Sequence, residues 1–146
     1  MLFGTPFGFC FFSTLHAKSS IRAHSDPMNL RLRMHLPLVV PKSGRGETSS
    51  SPLPSGDDDD ARLSNSPRRP TAGIRVADQV REWREGLAVV LDDSYVHEAW
   101  NDSEDGVRVV LLTDLWHPDV RAEERGRISN MFDYARDRGW IGGAGG

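Results

Sequence analysis

Cysteine is nearly absent from this chain. Only Cys10 occurs in 146 residues, which excludes an internal disulfide and any zinc site built from clustered thiolates. One thiol is compatible with either redox environment, so it leaves the compartment open. Long apolar runs are missing too: no stretch reaches the ~18–20 residues a membrane-crossing helix needs, and the chain reads as soluble with no transmembrane segment. The Phe-rich start from Met1 to Leu15 has no Lys or Arg ahead of it and is interrupted by Gly4, Pro6 and Gly8. No small-x-small cleavage site follows, so it reads as a strand rather than a signal peptide. An excess of one charge is also lacking. A net charge of −3 with 27% charged residues gives no pull toward polyanions, and no nucleic-acid partner is expected. The length suits one domain, and nothing in the composition sets an oligomeric state.

From Ser43 to Gly73 there is no aromatic residue, and Leu53 and Leu63 are the only large aliphatics. Such a stretch cannot bury enough surface to offset its ordering entropy. It reads as a disordered insertion interrupting a single domain over 1–146. The Asp57–Asp60 run lacks the spaced ligands and Gly of a calcium loop and reads as a solvated charge run.

Outside the insertion the dominant period is two. In LRLRMHLPLVV, Leu30, Leu32, Met34, Leu36 and Leu38 alternate with Arg31, Arg33 and His35, a strand with one apolar and one basic face. Shorter strands are predicted at 73–78, 87–92, 94–100 and 107–116, with Glu85-Gly86 and Asp105-Gly106 supplying turns. Only 119–138 has helical spacing, with Ile128, Met131, Phe132 and Ala135 on one face and Gly139 as C-terminal cap. About six strands and one terminal helix predict an all-β antiparallel barrel or jelly roll. A full jelly roll needs about eight strands, and the shortage is placed at the N-terminus, as in a truncated domain.

Two of the five histidines stand out. His24 opens His24-Ser25-Asp26, and His97 lies on a later strand. An H-x-D with one distant His is the donor set of a two-histidine, one-carboxylate iron site. Spacing of this kind also arises by chance, and Asp26-Pro27 is a common turn opener. On the strand at 107–116, Arg108 shares a face with Val110 and Leu112. A guanidinium buried there is costly unless an anion meets it; a solvent-facing Arg is the plainer alternative. Arg33 and His35 form a second cationic pair just after the H-x-D. Trp83, Trp100, Trp116 and Trp140 read as core or rim packing, and His117 as structural.

Four blocks then carry a more specific signal: HSDPMNLRLRMHLPL at 24–38, WREG at 83–86, DDSYVHEAWN at 92–101 and RVVLLTDLWHP at 108–118. In order and spacing they resemble the aspartyl/asparaginyl β-hydroxylase family. The resemblance implies a double-stranded β-helix of jelly-roll or cupin-like type with Fe(2+) as metal. It also implies 2-oxoglutarate and O2 as cosubstrates, and a hydroxylation coupled to decarboxylation of 2-oxoglutarate to succinate. By position, His24 and His97 match iron-binding histidines, with Asp26 as the third ligand. Ser13, Arg33, His35 and Arg108 match 2-oxoglutarate positions: Arg108 and Ser13 for the distal carboxylate, Arg33 and His35 for the carboxylate beside the keto group. Animal peptide hydroxylases resemble a pattern with Gly where this chain has Asp26, whereas bacterial lipid-hydroxylating relatives look more like the Asp form. The implied substrate is therefore an Asp or Asn side chain of a protein, or a lipid acyl chain. The alternative is a catalytically inactive, truncated remnant acting as a binding module.

Overall fold

In the computed structural model, which describes residues 5–42 and 69–141, the two-residue period becomes eight strands. They are β1 (Cys10–Leu15), β2 (Ser19–His24), β3 (Arg31–Val39), β4 (Ala72–Val76), β5 (Gln79–Glu82), β6 (Val89–Leu91), β7 (His97–Asn101) and β8 (Arg108–Trp116). They form two antiparallel four-stranded sheets, ordered β1-β8-β3-β6 and β2-β7-β4-β5. The two strands the sequence did not reveal are β2 and β5. Both are edge strands, and SSIRAH and QVRE each carry a single large aliphatic residue, too little to write an alternating pattern. A closed barrel is not formed: among the described residues no ladder joins the sheets. On one side they end in β5 and β6, of four and three residues, and hydrogen bonding stops there.

Turn chemistry falls where expected. Gly86 and Gly106 have φ of 76° and 96°, a region that a side chain disfavours. Between the sheets, Ala72, Ile74, Trp83, Leu91, Ala99, Val110 and Leu112 form the core. On β3 the basic face is the inner one: Arg31 and His35 are buried, while Leu38 on the apolar face is half exposed. Burial follows charge pairing here rather than hydropathy, because acidic side chains wait on the facing elements.

The expected disordered insertion lies, from 43 to 68, outside the described residues. Its predicted end at Gly73 is corrected. Ala72 already belongs to β4 and is buried, Pro70 O accepts from Trp100 Nε1 at 2.8 Å, and the Arg69 guanidinium lies 4.0 Å over the Trp100 ring. Helix α1 spans Ala122–Asp137, a little shorter than predicted. It begins with Arg121 N donating to Glu124 Oε2 at 2.9 Å. None of its residues is buried; it leans on the domain through Phe132, 4.9 Å from Phe7. Met131, expected on the packed face, is exposed. No described helix is long and apolar enough to cross a membrane.

Candidate active site

The β2–β7 ladder sets His24 opposite His97, after a bulge between Ile21 and His24. Paired residues point to the same side of a sheet, and the two imidazole centroids are 4.2 Å apart. Each ring is held the same way. His24 Nδ1 is 2.7 Å from Arg22 O, and His97 Nδ1 is 2.9 Å from Tyr95 O. A carbonyl oxygen only accepts, so in both rings Nδ1 is the donor and Nε2 is the nitrogen left to coordinate. That is how metal-binding histidines are held: one nitrogen oriented by a hydrogen bond, the other free to coordinate. The two imidazoles therefore fit a divalent metal.

The structure does not bring Asp26 to them. No group of three His, Cys, Asp or Glu side chains among the described residues is arranged to hold a metal. Instead the Asp26 carboxylate accepts from Arg31 Nη2, and its backbone N–H donates to Asp93 O at 2.9 Å. The expected His24–Asp26–His97 triad thus gives way to two histidines plus a carboxylate drawn off by a buried guanidinium. Arg31 also donates to Asp114 Oδ2 at 3.0 Å, Asp93 Oδ2 at 3.3 Å and Phe7 O at 3.2 Å. On this arrangement Asp26→Asn should leave iron affinity within about threefold of wild type. It should cost roughly 1 kcal/mol of stability, at or below the low end for a charge-assisted hydrogen bond because Asp26 is partly exposed. Iron titration and urea unfolding check this; a hundredfold loss of iron affinity would make Asp26 a ligand after all.

Arg33 is also spoken for. Its Nε donates to Asp114 Oδ1 at 2.8 Å, and Nη1 lies 3.0 Å from Asp93 Oδ2. Two guanidiniums, Arg31 and Arg33, thus face three carboxylates, Asp26, Asp93 and Asp114. Next to this network His35 is buried, and burial, then the charges of Arg108 and Arg33, push its pKa down to about 3. It is a neutral imidazole, with Nδ1 buried and unpartnered.

Arg108 differs from both other arginines. It is 1% exposed, and among the described residues no carboxylate lies within ion-pair distance of it. Its Nη1 donates to Ser13 Oγ and Ser13 O at 3.0 and 3.1 Å, and its guanidinium stacks 4.4 Å over Trp83. Burial pushes its pKa down to about 10, so it remains a cation at neutral pH. Ser13 and Arg108, 95 residues apart, meet because β1 pairs β8 with Leu15 opposite Arg108.

Sequence reasoning passed over Asp93 and Asp114, placed Arg31 only on the basic face of its strand, and read Trp83 as packing, which its place in the core bears out. A signal for Asp114 existed. It follows Arg108, Val110 and Leu112 at steps of two, so the argument that marked Arg108 as a buried charge on an apolar strand applied to it equally.

Residues 1–118 match the family model described as Aspartyl/Asparaginyl beta-hydroxylase; α1 lies beyond that match. The chain is 32% identical over 114 residues to the mouse (Mus musculus) protein named aspartyl/asparaginyl beta-hydroxylase, covering 78% of this chain and 12% of that protein. It is 30% identical over 128 residues to mouse aspartate beta-hydroxylase domain-containing protein 2, covering 86% and 29%. It is 36% identical over 107 residues to the Rhizobium tropici ornithine lipid ester-linked acyl 2-hydroxylase, covering 73% and 29%. The aligned region thus spans less than a third of each of these relatives.

Proposed function

Since the chain belongs to the aspartyl/asparaginyl β-hydroxylase family, we propose that it is an Fe(II)- and 2-oxoglutarate-dependent hydroxylase whose facing sheets are those of a double-stranded β-helix. The observation that carries this reading is Arg108. A fully buried guanidinium without a counter-ion is expensive; a site that receives an anion explains why it is kept. Buried Arg31 and half-buried Arg33 each have two or more carboxylates, so a charge with no acidic partner among the described residues is not a general habit of this core.

His24 and His97 would hold iron through their Nε2 atoms. Iron would supply the site at which O2, the oxidant, is reduced, with two electrons from the substrate and two from 2-oxoglutarate as it is decarboxylated to succinate. The chain's residues bind and orient. Arg108 and Ser13 hold the distal carboxylate of 2-oxoglutarate. His35, neutral and with a free ring nitrogen, hydrogen-bonds the carboxylate beside the keto group, and Arg33 backs it with a charge already shared between Asp93 and Asp114. Arg108→Leu should weaken 2-oxoglutarate binding by about a hundredfold, the loss of a bidentate charge-assisted contact. An unaltered affinity would mean that no carboxylate reaches Arg108.

For the substrate, a cleft of about 330 Å³ opens beside β5 and β6, with Ile74, Val76, Val89 and Leu91 among its walls. Val76 is the ladder partner of His97, and Leu91 of Arg33, so the cleft runs up to the candidate site. Its aliphatic walls would suit a lipid acyl chain, and Gln79, Arg81 and Asp92, which also line it, would suit a polar headgroup or a peptide. The test is succinate release from 2-oxoglutarate by the iron-loaded protein, comparing an acyl lipid with an Asp-containing peptide. Stimulation by the lipid supports this reading, and stimulation by the peptide alone assigns the protein substrate. No succinate with either favours the inactive remnant.

A further inference from the structure

Trp83 follows β5 and is 1% exposed. Its ring packs in the core cluster, which accounts for an aromatic residue here but not for an indole. Buried tryptophans normally give their N–H a partner, as Trp100 does with Pro70 O. Trp83 Nε1 is buried with none. It is not alone. The guanidinium stacked on its face belongs to Arg108, whose Nε is also buried and unpartnered. The imidazole stacked against it at 6.1 Å is His35, with an unpartnered Nδ1. Trp83 thus lies against two other side chains, and all three, each at least nine-tenths buried, keep a nitrogen without a partner among the described residues.

Isolated orphan nitrogens signal strain or an absent partner; those of Trp83 and Arg108, stacked on one another, point to one shared acceptor, while the His35 nitrogen is the one assigned above to the carboxylate beside the keto group. We propose that the Trp83 indole N–H is a further binding residue for 2-oxoglutarate, donating to the distal carboxylate alongside Arg108 and Ser13. This rests on the cosubstrate reading above and extends it. A carboxylate has about four acceptor positions. Ser13 Oγ, Arg108 and one indole N–H fill most of them, so a longer or shorter diacid would leave donors unmet.

The experiment uses the full chain loaded with zinc in place of iron, titrated calorimetrically with 2-oxoglutarate and with 2-oxobutyrate, which lacks the distal carboxylate. Trp83→Phe keeps the ring and removes the N–H. It should weaken 2-oxoglutarate about tenfold and leave 2-oxobutyrate within about twofold. Equal weakening of both ligands, or of neither, overturns the assignment. If Trp83→Phe does not fold, the wild-type indole resonance of Trp83, assigned through its ring contacts, decides the matter. A downfield shift of that N–H with 2-oxoglutarate but not with 2-oxobutyrate supports the proposal, and an unmoved signal overturns it. Wild type that binds no 2-oxoglutarate at all fails the cosubstrate reading as well. Loss of binding in Arg108→Leu but not in Trp83→Phe fails only the role of Trp83.

Discussion

His97→Ala is expected to abolish iron-dependent turnover while the domain stays folded. Among the described residues the ring makes one hydrogen bond, to Tyr95 O, so its removal takes little from the sheet. Strand β7 keeps its ladders to β2 and β4 through backbone groups. Truncating a mostly buried imidazole costs roughly 1–2 kcal/mol, in the ordinary range for single substitutions. The metal loses half of its histidine donors, however, and Asp26 is not free to take over because Arg31 holds it. Iron affinity should fall by at least about a thousandfold, given how much each imidazole contributes to a site with so few protein ligands. His24→Ala should behave alike. Metal titration with far-ultraviolet circular dichroism separates site loss from unfolding. Unchanged turnover in His97→Ala would remove the site from this pair of strands.

Arg31→Leu, by contrast, is expected to act on folding. The side chain is 3% exposed and meets three carboxylates, of which Asp93 and Asp114 are 0% and 1% exposed. Without it, Arg33 alone faces those two buried carboxylates, while Asp26 loses its anchor. Removing one member of a buried ionic network typically costs about 3–5 kcal/mol, because the remaining charges are left uncompensated. That is a large part of the total stability of a small domain. Lys should not rescue it, since one ammonium cannot reach the separate acceptors the guanidinium fork reaches. Urea unfolding of Arg31→Leu and Arg31→Lys checks this. A loss below about 1 kcal/mol would show the network to be solvated. Arg108→Leu provides the contrast: it removes a buried charge that has no acidic partner, so stability should hold or rise while 2-oxoglutarate binding suffers.

What was legible in the sequence follows from which residues carry pattern. Strand β3 alternates over nine residues and β8 is nearly continuously apolar, so both were found. β2 and β5 lie at sheet edges with almost no apolar content, and edge strands owe their form to a neighbour that a local pattern cannot show. The inward turn of the basic face of β3 depends on Asp93 and Asp114, 62 and 83 residues from Arg31. No window of sequence spans that pairing. His24 and His97 were marked by motif, and the structure sets them side by side. Asp26 was marked by the same motif and is instead bound to Arg31, whose demand for carboxylate partners is invisible until the sheets are assembled. Trp83 read as packing, and its ring does pack; only the orphaned N–H, a property of the folded core, sets it apart.

A metal held by His24 and His97 and the buried Arg108 guanidinium would together form a dicarboxylate site. Calorimetric titration of 2-oxoglutarate into the zinc-loaded protein, repeated after chelation of the metal, tests both halves at once. The account predicts saturable binding at one site per chain, weakened strongly by chelation and weakened again in Arg108→Leu. Binding that ignores both the metal and Arg108, or no binding by the loaded wild type, would contradict it.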